Sequence, residues 1–367
     1  MSKLQGVGEK EWFVETSVEK FMKFTKGIER RPEVLRFMDV LRRTSPPLDV
    51  ATIANHAGIP EKRGMSYFKW LSSMGVKFKA DYSHSALGLS LLLVKHGRYV
   101  DNPPKKEWVF RHVHTGAGSV TIYRYPRVLG PDFIIEEVRK VSGNAVTYTF
   151  EELFFARPSY EYYWIGDFPS PRLALKMLHD HPRFYVLDYP INDRPPSHAA
   201  LFILSVLERD ALIKDTELAR LRWRTKHPRR KIAKHLQALR EASVLRGTVL
   251  DVPQPTSTRV ILVIKAETHS KAMRIVEEYL KYLYSIEVGV GYDTVFVTLA
   301  VRERYAPLIR KYVELRQGST CIDYIVYDLT NITEEYVLPY WNYDPLERMW
   351  SKESVKGPSG RAAPEEF

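Results

Sequence analysis

Residues 228–239 read PRRKIAKHLQAL, and the reading of the whole chain turns on this stretch. Ile232, Leu236 and Leu239 recur at helical spacing, so one apolar stripe faces a core. Arg230, Lys234 and Gln237 repeat with the same spacing on the outer face. Pro228 suits the first turn of such a helix. The helix lies in a cationic segment: from Arg220 to Arg246 there are ten Lys or Arg residues against one acid, Glu241, in a chain of 367 residues and formal net charge +11. Charge focused on one helical segment is the footprint of a polyanion-binding face. The plainer alternative is a solvated basic helix.

Upstream of it, Ser197 to Arg209 carries apolar Leu201, Leu204, Val206 and Leu207, and Asp215 is placed to N-cap a short helix with Leu218 and Ala219. The same order of signals stands earlier in the chain. Pro32 to Arg43 is apolar at Val34, Leu35, Met38 and Leu41. Asp49 opens a short helix that stops at Gly58, and a third helix runs from Pro60 to Met74. Ile53 and Leu218 differ by 165 positions, Pro60 and Pro228 by 168, and Gly116 and Gly289 by 173. A slowly growing offset is what a duplicated unit with loop insertions gives.

A β-rich stretch follows each helical triplet. In the first copy, Leu87–Lys95, Trp108–His114, Val120–Tyr125 and Ala145–Phe150 read as strands and Asp132–Lys140 as a helix. The opening helix is weak there, because Tyr99–Lys106 holds Pro103 and Pro104. In the second copy, strands at Arg259–Ala266, Tyr284–Val288, Thr294–Val301 and Ile322–Asp328 alternate with helices at Ser270–Leu283 and Tyr305–Leu315, a βαββαβ order. Each copy ends in aromatics after a proline: Tyr160, Tyr162, Tyr163 and Trp164, then Tyr340, Trp341 and Tyr343. Packing across a sheet or onto the other copy is the expected use.

The run Leu239-Arg240-Glu241-Ala242-Ser243-Val244-Leu245-Arg246-Gly247 resembles the recognition-helix end and wing start of Lrp/AsnC-type regulators, and Leu71 to Val76 repeats its frame. Gly291-Tyr292-Asp293 is similar to that family's loop between the second and third strands, whereas the first copy has Gly118-Ser119-Val120 without the acid. The resemblance implies an α+β fold of two tandem copies, each a winged helix-turn-helix followed by a ferredoxin-like βαββαβ domain. The expected division is an N-terminal helical extension (1–30), winged helix-turn-helix 1 (31–85), ferredoxin-like domain 1 with aromatic tail (86–165), a connector (166–196), the basic winged helix-turn-helix 2 (197–255), ferredoxin-like domain 2 with aromatic tail (256–350) and a disordered tail (351–367). It also implies a pseudo-dimer within one chain, with homodimerisation open.

The function expected on this basis is a non-catalytic DNA-binding transcriptional regulator. The alternative is a ribosome-binding factor that pairs small subunits through ribosomal RNA and inhibits translation. Arg230 and Gln237 are the base-reading candidates. Arg224, Lys226, Arg229 and Lys231 are placed to hold phosphates, and Arg222 and Lys234 complete the expected nucleic-acid-binding set, Lys234 on the groove-facing side with Arg230 and Gln237. The third helix of the first copy offers Lys62, Arg63 and Lys69. Gly291, Tyr292 and Asp293 could hold the amino group of a small effector, although a turn of this composition needs no ligand.

No metal site is expected: His112 and His114 share a strand face, and His179-Asp180-His181 lies in the connector, without further ligands nearby. No phosphate loop, nucleophile elbow or zinc-protease signature is present, so neither catalysis nor a cofactor is expected. The single cysteine, Cys321, rules out an intrachain disulfide and fits a reducing, cytoplasmic setting. The longest apolar run, Ala86–Val94, is too short to cross a bilayer as a helix.

Overall fold

The structure, a computed structural model, describes residues 19–28, 30–31, 33–156, 197–213, 216–218, 228–254, 256–280, 285–301, 307, 310–311, 319–335 and 337–352. The first helices are α1 (19–28), α2 (Glu33–Arg43), α3 (Val50–His56) and α4 (Glu61–Ser73). Asp49 caps α3, its carboxylate accepting from the backbone N–H groups of Ala51 and Thr52, which the helix itself leaves unpaired. Later in the chain come α5 (Asp132–Val141), α6 (His198–Leu207), α7 (Pro228–Glu241) and α8 (His269–Leu280). Ser197 caps α6 by accepting the N–H of Ala200. In α7 the stripe Ile232, Leu236 and Leu239 is buried and Arg230, Lys234 and Gln237 are exposed.

Among the described residues fourteen strands join them: β1 (Lys77–Tyr82), β2 (Leu89–Lys95), β3 (Val109–Thr115), β4 (Gly118–Pro126), β5 (Val146–Phe150), β6 (Glu152–Phe155), β7 (Leu245–Asp251), β8 (Thr258–Lys265), β9 (Ser285–Val290), β10 (Thr294–Leu299), β11 (Thr320–Asp328), β12 (Ile332–Glu335), β13 (Tyr343–Asp344) and β14 (Met349–Trp350). The first five-stranded sheet runs β12-β3-β4-β2-β5 and the second β11-β8-β10-β9-β6, antiparallel throughout. Leu91, Leu93, Val120 and Ile122 of the first sheet pack against Ile261, Val263 and Phe296 of the second, so the sheets face each other. The outer face of the second sheet (Leu262, Ile264, Val288, Val290, Val295, Val297) is apolar and shares a core with Ala272, Ile275 and Val276 of α8.

This assembly corrects the expected tandem architecture in three ways. A winged helix-turn-helix carries its own wing hairpin, but here each copy supplies one strand, β1 or β7, and the two pair with each other from Lys77↔Asp251 to Tyr82↔Leu245. Gly247, at φ 153, lies so close to α2 that a Cβ there would stand 2.1 Å from the carbonyl oxygen of Arg42. Neither sheet is complete within its own copy: β6 extends the second sheet beside β9, and β12 extends the first beside β3. The helices are exchanged as well. Phe37, Met38, Leu41 and Leu71 share one apolar cluster with the second sheet, whereas Ile203, Leu204, Ile232 and Leu236 share theirs with the first. The chain is therefore one interleaved body of antiparallel sheets and interspersed helices, and not winged-helix and ferredoxin-like modules in series.

Most of the helix expected at Tyr305–Leu315, the connector (166–196), the first aromatic tail and most of 351–367 lie outside the described residues. Tyr343 and Trp350 are buried in the first sheet's cluster, and Trp350 Nε1 donates to the carbonyl of Leu87 at 2.8 Å. Among the described residues no helix is long and apolar enough to cross a membrane.

Candidate functional site

The residues singled out from sequence divide sharply. Arg230, Lys231, Lys234 and Gln237 are exposed on α7, where Gln237 Nε2 donates to Glu241 at 2.7 Å. Arg222, Arg224 and Lys226 lie outside the described residues, as does the side chain of Arg229. Lys62, Arg63 and Lys69 are exposed on α4, but Arg63 pairs with Glu33 of α2 at 2.9 Å, and the Tyr67 hydroxyl donates to the same carboxylate at 2.9 Å. Arg63 thus joins two helices. At the β9–β10 turn Tyr292 is exposed, and Asp293 accepts from Lys265 and from Thr294 Oγ1. The Lys265 hydrogen bond holds the Asp293 carboxyl below its ordinary range, so that carboxylate has its cation from within the chain.

The site that stands out is one that sequence reading passed over. In the second sheet the crossover from β8 to β9 contains α8. In the first sheet the matching crossover, from β2 to β3, has no α-helix, only a 3-10 turn at Lys106–Trp108. Pro103 and Pro104, which cannot continue a helix, account for the strap. The face beneath is polar: His96, His112, His114, Ser119 and Thr121 project from the outer side of the sheet. Their common side follows from the pairings His112↔Thr121, His114↔Ser119 and Val94↔Thr121 together with strand alternation.

The strap is held to that face by hydrogen bonds. His112 Nε2 lies 2.6 Å from the Val100 carbonyl oxygen, and His112 Nδ1 lies 2.7 Å from Thr121 Oγ1. The same hydroxyl is 3.0 Å from His96 Nε2. Ser119 Oγ accepts the Val100 N–H at 3.0 Å and stands 2.9 Å from His114 Nδ1, whose other nitrogen is 3.6 Å from Asp101. Gly118 makes the close approach possible: at φ 148, a Cβ there would lie 2.6 Å from the His96 carbonyl oxygen. His96 is only 2% exposed and His112 fully buried. Burial first, then His112 and Arg98, push the His96 imidazole down to about 4. Among the described residues His96 Nδ1 has no hydrogen-bond partner.

The strand face of His112 and His114 was legible from sequence. What local reading could not supply was His96, since β2 reaches β3 only through β4. The available signal was a set of polar side chains in otherwise apolar strands, following a crossover that prolines keep from being a helix.

A second buried polar group lies where the halves interlock. Glu152 accepts from the N–H groups of His84, Ser85 and Leu153 and from the hydroxyls of Ser83 and Ser85. Burial would raise this carboxyl, but Arg246 beside it, with His84 and Ser83, holds it well below the carboxylate range. Arg246 also donates to Asp81 at 2.9 Å and to the carbonyls of Tyr82 and Leu153 at 2.7 Å. This group ties β1, β6 and β7 together; with Glu152 and His84 fully buried, it serves the fold.

No protein-family model and no curated protein matches the chain. Two solved structures do match in fold. The crystal structure of the siroheme decarboxylase NirDL gives a TM-score of 0.52 at 11% identity, covering 84% of this chain and 94% of that one. The crystal structure of NirDL in co-complex with an iron-uroporphyrin III analogue gives 0.51 at the same identity and coverage. These matches overturn the expected Lrp/AsnC regulator and with it the DNA-binding and ribosome-binding roles and the nucleic-acid and ribosomal partners. The expectation of no catalysis finds no support in these matches, both of which are structures of an enzyme. Over most of its length the chain shares the fold of a siroheme decarboxylase.

Proposed function

We propose that the chain is a decarboxylase acting on a carboxylate-bearing tetrapyrrole, with the histidine face of the first sheet as its reaction site. One observation carries the reading. In a fold shared with a siroheme decarboxylase, the end of the sheet face that α8 covers in one half carries His96, His112 and His114 under a helix-free strap in the other, beside the α5-packed Leu92 and Val94. A decarboxylase breaks a C–C bond: CO2 leaves, the electron pair stays on carbon, and a proton must be put there. Imidazoles are the side chains best suited to hand over that proton near neutrality. The formal net charge of +11 favours encounter with a substrate carrying several carboxylates. Exposed Arg98, on the strap, is placed to meet one of them.

The test uses the purified full chain with two tetrapyrroles. Iron-uroporphyrin III should bind saturably, with a change in its visible absorption spectrum. Incubation with siroheme should yield products lighter by CO2 in mass spectrometry. His96→Ala should remove turnover while leaving the chain folded. Absence of saturable binding, or of any CO2 loss by the wild-type chain, overturns the reading.

A further inference from the structure

We propose that Thr121 is the positioning residue of this site, its hydroxyl coupling His96 to His112 as a proton wire whose resting polarity is set by the Val100 carbonyl. The inference rests on the reading of the histidine face as the reaction site and adds a residue to it. The polarity follows from one atom. The Val100 carbonyl can only accept, so the His112 nitrogen 2.6 Å from it, Nε2, carries a hydrogen. In the neutral ring Nδ1 is then bare and takes the Thr121 hydroxyl hydrogen across 2.7 Å. That leaves Thr121 Oγ1 a lone pair for the hydrogen on His96 Nε2, 3.0 Å away. By elimination His96 Nδ1 is bare, and this is the ring nitrogen that has no partner among the described residues. A bare nitrogen on a ring 2% exposed is costly unless a donor reaches it.

The geometry suits transfer. Thr121 sits mid-strand on β4, with Val94 on one side and His112 on the other, and β-branching restricts its rotamers. Starting from His112 as imidazolium and His96 as the neutral tautomer with hydrogen on Nδ1 and none on Nε2, the His112 Nδ1 proton passes to Thr121 Oγ1 and the hydroxyl's own hydrogen passes to His96 Nε2. His96 then gives its Nδ1 hydrogen to the carbon that has lost CO2. The step ends with both rings neutral and hydrogen on both Nε2 atoms, the arrangement described above. One proton has moved, and only N–H, O–H and the new C–H bonds have changed. The charged and titratable groups around the wire are Arg98 beside His96, His114 beside His112, and Asp101 beyond His114.

Thr121→Val keeps the shape and removes the hydroxyl, and Thr121→Ser restores it. Long-range nitrogen–proton correlation spectra of the full chain, with labelled histidine, should show both His96 and His112 with hydrogen on Nε2. Thr121→Val should change the ring-nitrogen shifts of both histidines together, and Thr121→Ser should return them. In turnover, Thr121→Val should lose roughly tenfold to a hundredfold, a share typical of positioned proton transfer, with Thr121→Ser within a few-fold of wild type. Hydrogen on Nδ1 of His112, shifts indifferent to the hydroxyl, or full turnover in Thr121→Val would each overturn the wire. If Thr121→Val does not fold, the wild-type tautomers and Thr121→Ser still decide. Absence of turnover in the wild-type chain would sink the decarboxylase reading alone, because the tautomer result stands apart from activity.

Discussion

Arg111 on β3 and Glu287 on β9 form an ion pair between the facing sheets, with Nη1 2.5 Å from Oε1 and the carboxylate fully buried. The same oxygen accepts from Thr298 Oγ1 at 3.1 Å, and Arg111 also reaches Glu335 of β12 at 3.0 Å. One guanidinium therefore bridges an edge of the first sheet, the strand lent to it and the opposite sheet. Burial pulls the Arg111 guanidinium down, but Glu287 and Glu335 outweigh it, and the charge is held firmly.

Breaking one side of that pair should be costly. Glu287→Ala leaves a cation without its buried partner, a situation that costs about 3–5 kcal/mol. Arg111→Met combined with Glu287→Leu removes both charges and should recover much of the loss. Urea denaturation midpoints measure this. Single variants within about 1 kcal/mol of wild type, or a double variant worse than either, would contradict the account.

The exchanged strands predict that the halves depend on each other. Without β6 the second sheet loses the strand pairing Glu152↔Val290 to Phe155↔Glu287, and without β12 the first sheet loses cover for β3. Residues 1–196 and 197–367 produced separately should be poorly folded, with weak amide protection. Produced together they should associate into one folded body. Two independently cooperative, well-protected halves would refute the interleaving.

Acid should expose the His96 environment before it protonates carboxylates. An imidazole in the unfolded chain takes up a proton near 6.5, whereas the folded ring resists until about 4. Between those values the unfolded chain binds more protons, so the stability fully present above 6.5 is lost as pH falls toward 4. His84, whose imidazole burial also pushes down, adds in the same direction. His96→Gln should therefore show a shallower fall in stability across this window, and equal slopes for the two proteins would count against the assignment. Further down, Glu152 adds a second loss as pH drops through the range where an unfolded carboxylate protonates.

Single elements were legible in the sequence to a degree that their assembly was not. The spacing of Val34, Met38 and Leu41 gives α2, and the apolar run around Leu91–Val94 gives β2, because local periodicity reports which side of an element is buried. Periodicity cannot say against what it is buried. Phe78 and Leu250 belong to strands that would serve as wings in separate modules, yet they lie opposite each other in β1 and β7. Asp81 and Arg246, 165 positions apart, meet only because of that pairing. The histidine site was hidden for the same reason, as His96 and His112 become neighbours through Thr121 on the strand between them. The cationic α7 is visible in composition because charge is, whereas three imidazoles brought together from separate strands are not.

One equivalent of tetrapyrrole per chain is the final prediction, and it follows from the difference between the sheets. Both have the same strand order before the borrowed strand is added, so two sites per chain would be the symmetric outcome. The second sheet's outer face, however, is closed: Val288, Val290, Val295 and Val297 are buried in one cluster with Ile275 and Val276 of α8. Opening that face would expose several aliphatic side chains, each worth about 1.5–3 kcal/mol when buried. The first sheet's outer face is covered by α5 over Leu92, Val94 and Tyr123, but its histidine end is closed by a strap held through Val100, Arg98 and Tyr99 to Ser119, His112 and Thr115, contacts a ligand can replace. Spectrophotometric titration with iron-uroporphyrin III should reach its end point at one ligand per chain, and His96→Ala should weaken that phase. An end point at two ligands, or a single site indifferent to His96, would place binding elsewhere than the first sheet.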